Sequence, residues 1–210
     1  MRSNESDTFT TRARRAQLVD AAIETIAELG YPRASLAQIA ARAGVAKSAA
    51  LYHFRNKDEI VLAVTMKVMT DAATAVVPAV AAAAPGPDRL AAYVRANVGF
   101  LVDQRAATVA MREIDTGYRS EDGRRFDQVI ADGAAAEPPT GELALLDPVY
   151  LLREGIELGA FRPDLDVEFT RDTVRGALDG AVANLTRGAG YDVVAFGEEL
   201  IRVLLNGIRP

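Results

Sequence analysis

The chain has 210 residues, half of them hydrophobic, which is enough to bury a core without disulfides or metal ions. It has no cysteine and one histidine, His53, so the sequence excludes disulfide scaffolds, multi-histidine metal sites and most Ser–His or Cys–His catalytic arrangements. The net charge of −5 is unevenly spread, because residues 1–57 carry nine Lys and Arg against five Asp and Glu. A basic segment in an acidic protein indicates a nucleic-acid-binding surface.

The first helix is predicted over residues 16–29, where apolar residues recur at helical spacing until Gly30. Residues 1–11 are polar and lack the apolar stretch of a secretion signal. The most apolar window, residues 72–84, is shorter than the ~20 residues that span a bilayer and contains Pro78. We therefore expect a soluble, cytoplasmic protein with no membrane partner.

Two short helices around a tight turn are predicted next. Ser35 and Gln38 have the spacing of a capping box, which marks the start of a helix. Gly44 ends that helix, because glycine tolerates the left-handed conformation of a helix C-terminus. A second helix follows over residues 47–54. Two helices joined by a short glycine-containing turn are typical of the helix-turn-helix motif, whose second helix enters the DNA major groove.

The second helix has two faces of different character. Helical spacing places Ala50, Leu51 and Phe54 on an inward face. The opposite face carries small polar and aromatic groups, which donate to phosphates, read base edges or contact a thymine methyl. Asn56 caps the next helix, whose N-terminus favours a phosphate. The predicted DNA-binding residues are Ser35, Lys47, Ser48, Ala49, Tyr52, His53 and Lys57.

The stretch from Arg15 to Val64 resembles the DNA-binding domain of the TetR (tetracycline-repressor-like) family. The resemblance rests on the segments LVDAAIETIAELGY, SLAQIAARAGVAK, YHF and NKDEI and covers roughly the first third of the chain. The chain departs from the family pattern at Ala46, where Ser or Thr usually caps the helix, at Ala49, where Thr is frequent, and at Ala50–Leu51, where Leu–Tyr is usual. The resemblance implies a DNA-binding transcriptional repressor, released from a pseudo-palindromic operator by a small, largely apolar effector.

The rest of the chain also has helical periodicity, and no segment alternates with period two. We therefore expect an all-α protein of about nine or ten helices, with a helix-turn-helix domain at residues 1–57 and a ligand-binding and dimerisation domain at residues 58–210. A helix over residues 57–84 connects the two. Further helices are predicted at about 89–104, 106–115, 124–136, 148–158, 166–187 and 192–204, with Asp88, Asp147, Asp166 and Asp192 as caps and a loop at 133–142.

Two further sites are predicted in the second domain. The candidate ligand-pocket residues combine apolar or aromatic and polar groups: Tyr93, Asn97, Phe100, Met111, Arg112, Asp115, Phe126, Tyr150 and Asn184. Small residues four apart at Gly176, Gly180 and Asn184 let a second helix approach closely, and the resemblance implies a homodimer formed there. The predicted interface residues are Val174, Ala177, Leu178, Gly180, Ala181 and Leu185; close packing within one subunit is the alternative.

Other classes of protein remain open at this point. In a small helical enzyme or a lipid carrier, an apolar cavity would carry the function and the two short helices would be an ordinary helical hairpin. In a structural adaptor, the small-residue helix would bind partner proteins. The sequence has no phosphate loop or metal constellation, and Glu113 and Asp115 lie two apart on a helix, so they do not face each other. We therefore predict no catalytic residue, no metal and no cofactor.

Overall fold

The computed structural model describes residues 3–120, 122–133, 140–187 and 190–210. Within these ranges the chain forms ten α-helices and one 3-10 helix and no β-strand, which confirms the all-α prediction. The helices are α1 (Ser3–Leu29), α2 (Leu36–Arg42), α3 (Lys47–His53), α4 (Lys57–Ala81), α5 (Pro87–Asp103), α6 (Arg105–Gly117), α7 (Phe126–Gly133), the 3-10 helix Gly141–Leu146, α8 (Pro148–Glu157), α9 (Val167–Arg187) and α10 (Val193–Ile208).

Five helices begin at the side-chain caps that the sequence predicts, and at α4 the cap is Asn56, which accepts a hydrogen bond from the Glu59 N–H. Ser35 and Gln38 form a capping box at α2, with both reciprocal hydrogen bonds present. Asp147, Asp166 and Asp192 each accept a hydrogen bond from a backbone N–H in the first turn of α8, α9 and α10, respectively. These side chains satisfy N–H groups that have no partner within the helix.

Two helices begin earlier than predicted. Helix α1 begins at Ser3 rather than near residue 16, because nothing between Ser3 and Gly30 interrupts it: the segment contains no glycine or proline. Helix α5 begins at Pro87, and its N-cap is Gly86 at φ 85° rather than Asp88. Proline is preorganised for the first helical position, where its missing N–H is not needed.

Contacts divide the chain into two compact units. The first contains the helix-turn-helix together with α6 and α7, and the second contains α5, α8, α9 and α10. The division into a DNA-binding part, residues 1–57, and an effector-binding part, residues 58–210, stays a prediction. By contacts, the first unit is Met1–Met69 with Ala106–Ala134, and the second is Thr70–Arg105 with Ala135–Pro210.

The first unit has a second contact region besides the core of the helix-turn-helix. Three rings form an aromatic cluster: the centroid of Tyr118 lies 5.8 Å from that of Tyr31 and 5.5 Å from that of Phe126. At the end of α6, a Cβ added to Gly117 would lie 3.3 Å from the Tyr31 side chain. The last turn of α6 therefore packs closely on the loop between α1 and α2.

The second unit has one continuous apolar core. Leu90 and Val94 of α5 and Leu151 and Leu152 of α8 are at most 1% exposed. Phe161, also 1% exposed, packs so closely on Gly155 of α8 that a Cβ at that glycine would overlap its ring. This core belongs to the single protomer, and its helices do not need a partner chain to cover it.

Among the described residues, α4 alone has the length and apolar composition of a membrane-spanning helix, with a mean hydropathy of 1.7 over its most apolar window. This corrects the expectation drawn from residues 72–84, because the apolar stretch extends over α4, Lys57–Ala81. A third of the α4 window is buried inside the protein, and Val61, Val64, Val76 and Val80 are at most 1% exposed. Core-facing helices of water-soluble domains have this composition too, so length and apolarity do not identify a span.

Candidate nucleic-acid interface

Helix α3 is anchored in the first unit by two side chains. Ala50 and Phe54 are both fully buried, as the sequence predicts for the inward face. Leu51 is 40% exposed, so its assignment to that face is wrong. The helix has seven residues, and its contact with the core is made by Ala50 and by Phe54, its C-cap, which lie four residues apart on one face.

The opposite face of α3 is open to solvent. Tyr52 is 80% exposed, Lys47 and Ser48 are exposed, and Ala49 and His53 are half-buried. The ring centroids of Tyr52 and His53 lie 5.2 Å apart in an edge-to-face arrangement. The structure therefore brings five of the seven predicted DNA-binding residues onto one seven-residue helix.

The other two predicted DNA-binding residues are engaged elsewhere. The Ser35 hydroxyl accepts from the Gln38 N–H at 3.3 Å and donates to the Gln38 side chain at 2.8 Å, so it serves the capping box. The Lys57 ammonium donates to the Tyr31 carbonyl and lies 3.7 Å from the centroid of the Tyr31 ring. Burial lowers the pKa of Lys57, although Asp58 opposes this shift. Lys57 is thus directed toward the loop before α2.

Asn56 caps the start of α4, as predicted. The Glu59 N–H donates to Asn56 Oδ1 at 2.9 Å. The Glu59 carboxylate accepts from the Arg55 N–H at 2.8 Å, one residue before the position that a capping box uses. The backbone N–H of Arg55 is the largest cause that lowers the pKa of Glu59, followed by the hydrogen bond from the Arg55 side chain.

One residue at this surface is not among the seven predicted DNA-binding residues. Arg15 of α1 donates from Nη1 to the His53 carbonyl at 2.7 Å, and its guanidinium carbon lies 4.1 Å from the centroid of the Phe54 ring. Burial, then Arg15, then Arg14 lower the pKa of His53 below its ordinary value of 6.5. In the sequence Arg15 stands with Arg12 and Arg14 as a short basic segment, and nothing there indicates its contact with His53, 38 residues away.

The predicted ligand-pocket residues are divided between the two compact units. Tyr93, Asn97, Phe100, Tyr150 and Asn184 lie in the second unit, and Met111, Arg112, Asp115 and Phe126 lie in the first. Tyr93 and Phe100 are 5% and 8% exposed, whereas Tyr150 is 44% exposed. Phe126 belongs to the aromatic cluster, which already accounts for its burial.

An open groove lies between α1 and α4 in the first unit. None of the nine predicted pocket residues lines it. Exposed Leu62 and Met66 make its surface apolar, and basic side chains flank it. The groove is lined by Arg12, Arg15, Ala16, Val19, Glu59, Leu62, Ala63, Met66 and Lys67.

Half of the predicted dimer-interface residues lie inside the protomer. Val174, Leu178 and Ala181 are at most 8% exposed in the core of the second unit, so they cannot offer surface to a partner and that part of the prediction is corrected. The helix turns these side chains inward because they follow its apolar stripe. Ala177 and Leu185 are half-buried, and Gly180 is exposed.

Comparison with known proteins gives a consistent result over both units. Residues 18–64 match the profile of "Bacterial regulatory proteins, tetR family", and residues 140–207 match that of "YsiA-like protein, C-terminal region", a TetR-type C-terminal profile. Together the two profiles cover more than half of the chain.

Individual relatives extend over nearly the whole length. The "Fatty acid metabolism regulator protein" of Bacillus subtilis (strain 168) is 27% identical over 199 residues, which are 94% of this chain and 96% of that protein. The solved structure of "fatty acid degradation regulator FadR from Bacillus halodurans" has a TM-score of 0.73 at 25% identity, covering 92% of this chain and 99% of that one. FadR from Bacillus subtilis in complex with stearoyl-CoA has a TM-score of 0.74 at 24% identity, with the same coverage. The chain therefore belongs to the TetR family of DNA-binding transcriptional regulators.

Proposed function

We propose that the protein is a homodimeric repressor that an acyl-chain effector releases from its operator. The observation that carries the DNA-binding part is the two-sided character of α3: Ala50 and Phe54 are fully buried while Tyr52 is 80% exposed. A large aromatic side chain that is 80% exposed contributes little to the core of its own protomer, where its ring contact is with neighbouring His53. It is available to base edges or sugars in a groove.

The residues of α3 take different roles in this proposal. Lys47, at the first turn, contacts a phosphate and contributes affinity without sequence preference. Tyr52 and His53 contribute specificity, and Ala49 contacts a thymine methyl. Few side chains on this face form hydrogen bonds to bases, so DNA shape contributes as well. Ser35 and Lys57 act through the segments that they hold in place.

The proposed dimer uses the exposed face of α9. A Cβ added to Gly176 or Gly180 meets no atom of the protomer within 4 Å, so that face has room for a second helix. Glycine inside a helix costs about 1 kcal/mol relative to alanine, which favours a compensating contact. A two-fold dimer presents two α3 helices to successive major grooves about 34–36 Å apart. The target is then a pseudo-palindrome.

The effector proposal rests on the relatives. The Bacillus subtilis relative that spans 94% of this chain is a fatty acid metabolism regulator, and FadR from that organism has been solved with stearoyl-CoA. We propose a long-chain fatty acid or its CoA thioester as effector, bound in the second unit among Tyr93, Asn97 and Phe100. The protein then acts in the cytoplasm, where it meets both DNA and acyl-CoA.

Release follows from linkage. Helix α4 runs from Lys57, beside the helix-turn-helix, to Ala81 in the second unit. An effector that binds one arrangement of the two α3 helices better than the other shifts the population toward it, with a coupling free energy of typically about 1–3 kcal/mol.

The test begins with selection of duplexes by the full-length protein from a random library. We expect related half-sites with two-fold symmetry, and binding that weakens steeply as salt rises. Stearoyl-CoA is then added to the selected complex, with CoA alone as control, and fluorescence anisotropy measures release. Release by stearoyl-CoA and not by CoA supports the proposal. Absence of any selected sequence contradicts DNA-binding function, and stearoyl-CoA binding in that case supports the carrier alternative.

A further inference from the structure

Arg15 joins two helices that are distant in sequence. It lies on α1, yet its Nη1 atom donates to the carbonyl of His53, the last residue of α3, at 2.7 Å. Its guanidinium group also covers the ring of Phe54, the C-cap of α3, at 4.1 Å. One side chain thus contacts both the backbone end of α3 and the residue that anchors it.

The C-terminal end of α3 is where such a contact has most effect. With seven residues, α3 is too short to be stable alone. Its N-cap is Ala46, which makes no side-chain capping bond. The final carbonyl groups of a helix lack intrahelical partners, and a cation is favourable beside them. Arg15 supplies both the hydrogen bond and the charge at this end of α3.

The contact also affects the side chains of the proposed DNA-reading face. Bonding at the His53 carbonyl fixes the backbone from which His53 projects, and the Tyr52 ring packs edge-to-face against the imidazole at 5.2 Å. The charged and titratable groups that face His53 are Arg14 and Arg15 of α1 and Tyr52 of its own helix.

We infer that Arg15 is a positioning residue for DNA recognition: it holds the C-terminal end of α3 so that Tyr52 and His53 project in the reading direction. The inference rests on the proposed function, because only a DNA-binding role makes the direction in which Tyr52 and His53 project important. The inference goes beyond the proposed function because it attributes the orientation of α3 to a side chain outside the helix-turn-helix. Charge alone does not reproduce this role, because the extended guanidinium reaches two residues at once: Nη1 bonds the His53 carbonyl while the planar group covers the Phe54 ring, whereas a lysine ammonium is a single point charge.

The chain offers a matched control in Arg14. Its Nη1 atom donates to Gln17 of the same helix at 2.7 Å, so Arg14→Ala removes the same charge from the same region without removing this contact to α3. Arg15→Ala removes both the charge and the contact, and Arg15→Lys keeps the charge. Circular dichroism and thermal unfolding establish that each variant is folded.

DNA binding is measured as the ratio of affinities for the selected duplex and a scrambled one. We expect Arg15→Ala and Arg15→Lys to reduce this ratio at least about tenfold, as loss of a charge-assisted hydrogen bond that orders the reading face implies. Arg14→Ala should weaken both affinities alike and leave the ratio unchanged. Equal ratios for Arg14→Ala and Arg15→Ala, or a wild-type ratio for Arg15→Lys, would overturn the inference.

A second measurement needs no DNA. Hydrogen exchange of α3 amides should accelerate in Arg15→Ala and Arg15→Lys and stay at the wild-type rate in Arg14→Ala, because only Arg15 is bonded to α3. Unchanged exchange in the Arg15 variants overturns the positioning role even where DNA binding fails. If exchange accelerates but the wild-type protein selects no duplex, the proposed function fails and the positioning of α3 stands.

Discussion

At the scale of single side chains, Lys47 and Tyr52 are expected to contribute differently to DNA binding, the first to affinity and the second to sequence specificity. Lys47 and Tyr52 lie on the same exposed face of α3. We expect Lys47→Ala to weaken binding to all duplexes and to reduce the slope of log affinity against log salt by about one. Tyr52→Ala should leave that slope unchanged and weaken the selected duplex alone, by about 1–3 kcal/mol. Anisotropy titrations at several salt concentrations measure both, and identical behaviour of the two variants would contradict the assignment.

His53 gives the proposed interface a pH dependence. It is the only histidine in the chain, and burial, Arg15 and Arg14 hold its pKa below the ordinary value, so it is neutral near pH 7. Acidification protonates it and adds a cation at the reading face. We therefore expect operator affinity to rise as pH falls through the His53 pKa. Fluorescence anisotropy at a series of pH values measures this affinity. The variant His53→Gln should lack the part of the increase in affinity that comes from His53. An increase as large as in the wild type would refute the role of His53.

Side-chain types predicted the reading face, but burial depends on neighbours that the sequence does not reveal. Helical spacing correctly placed Ala50 and Phe54 inward, because a short amphipathic helix has little choice of face. It placed Leu51 there too, although Leu51 is 40% exposed. The contact from Arg15 to His53 was not predictable, since no periodicity links residues 38 apart.

At the scale of elements, α3 lacks the cap that α2 has. Ala46 stands at its N-cap with extended backbone, φ −66° and ψ 147°, and makes no side-chain bond. Ala46→Ser should therefore stabilise the protein by about 1 kcal/mol, and Ser35→Ala should destabilise it by a similar amount. Urea denaturation of the two variants checks the pair. A destabilised Ala46→Ser variant would contradict this account of α3.

Two helical glycines should respond oppositely to alanine. Gly155 lies against the ring of Phe161, and a Cβ there would overlap it, whereas a Cβ at Gly176 meets nothing in the protomer. Overpacking typically costs about 1–3 kcal/mol, so we expect Gly155→Ala to lower the free energy of unfolding by at least that amount. Gly176→Ala should keep or raise the stability of the protomer, since alanine favours helix by about 1 kcal/mol. Thermal unfolding of dilute protein distinguishes the two.

Local signals predicted most of the elements. Asp147, Asp166 and Asp192 each cap a helix as expected, because capping depends on residues within one turn. Helix α1 was predicted too short, since polar residues without a breaker resemble a frayed end. Helix α5 begins at Pro87 because proline and a glycine at positive φ override the cap expected from Asp88.

At the scale of the whole molecule, the proposed dimer makes Gly180 a sensitive position. Gly180 is exposed and a Cβ there meets no atom within 4 Å, so we expect Gly180→Leu to keep the fold stable while its side chain occupies the space of a partner helix. We expect Gly180→Leu to weaken dimerisation at least about tenfold in sedimentation velocity and to weaken operator binding in parallel. Gly207→Leu on α10, where a Cβ is equally free, is the control. A Gly180→Leu dimer as tight as wild type would exclude this face.

Long-range grouping was the least predictable property. The nine candidate pocket residues share a chemical character, yet four of them lie in one compact unit and five in the other. The predicted dimer face mixed Gly180, which is exposed, with Val174 and Ala181, which are buried. Periodicity assigns a residue to a face of its helix, but which face the rest of the chain covers depends on contacts between distant segments.

The packing of α6 on the loop at Tyr31 has a consequence for engineered biosensors. A hybrid regulator that joins the DNA-binding part of this chain to the sensor part of a relative at residue 57 separates Tyr31 from Tyr118 and Phe126. The recipient's α6 would then need a compatible ring and a glycine at the position of Gly117, where a Cβ already lies 3.3 Å from Tyr31. Transplanting residues 106–134 together with residues 1–69 keeps these contacts native and gives the better design.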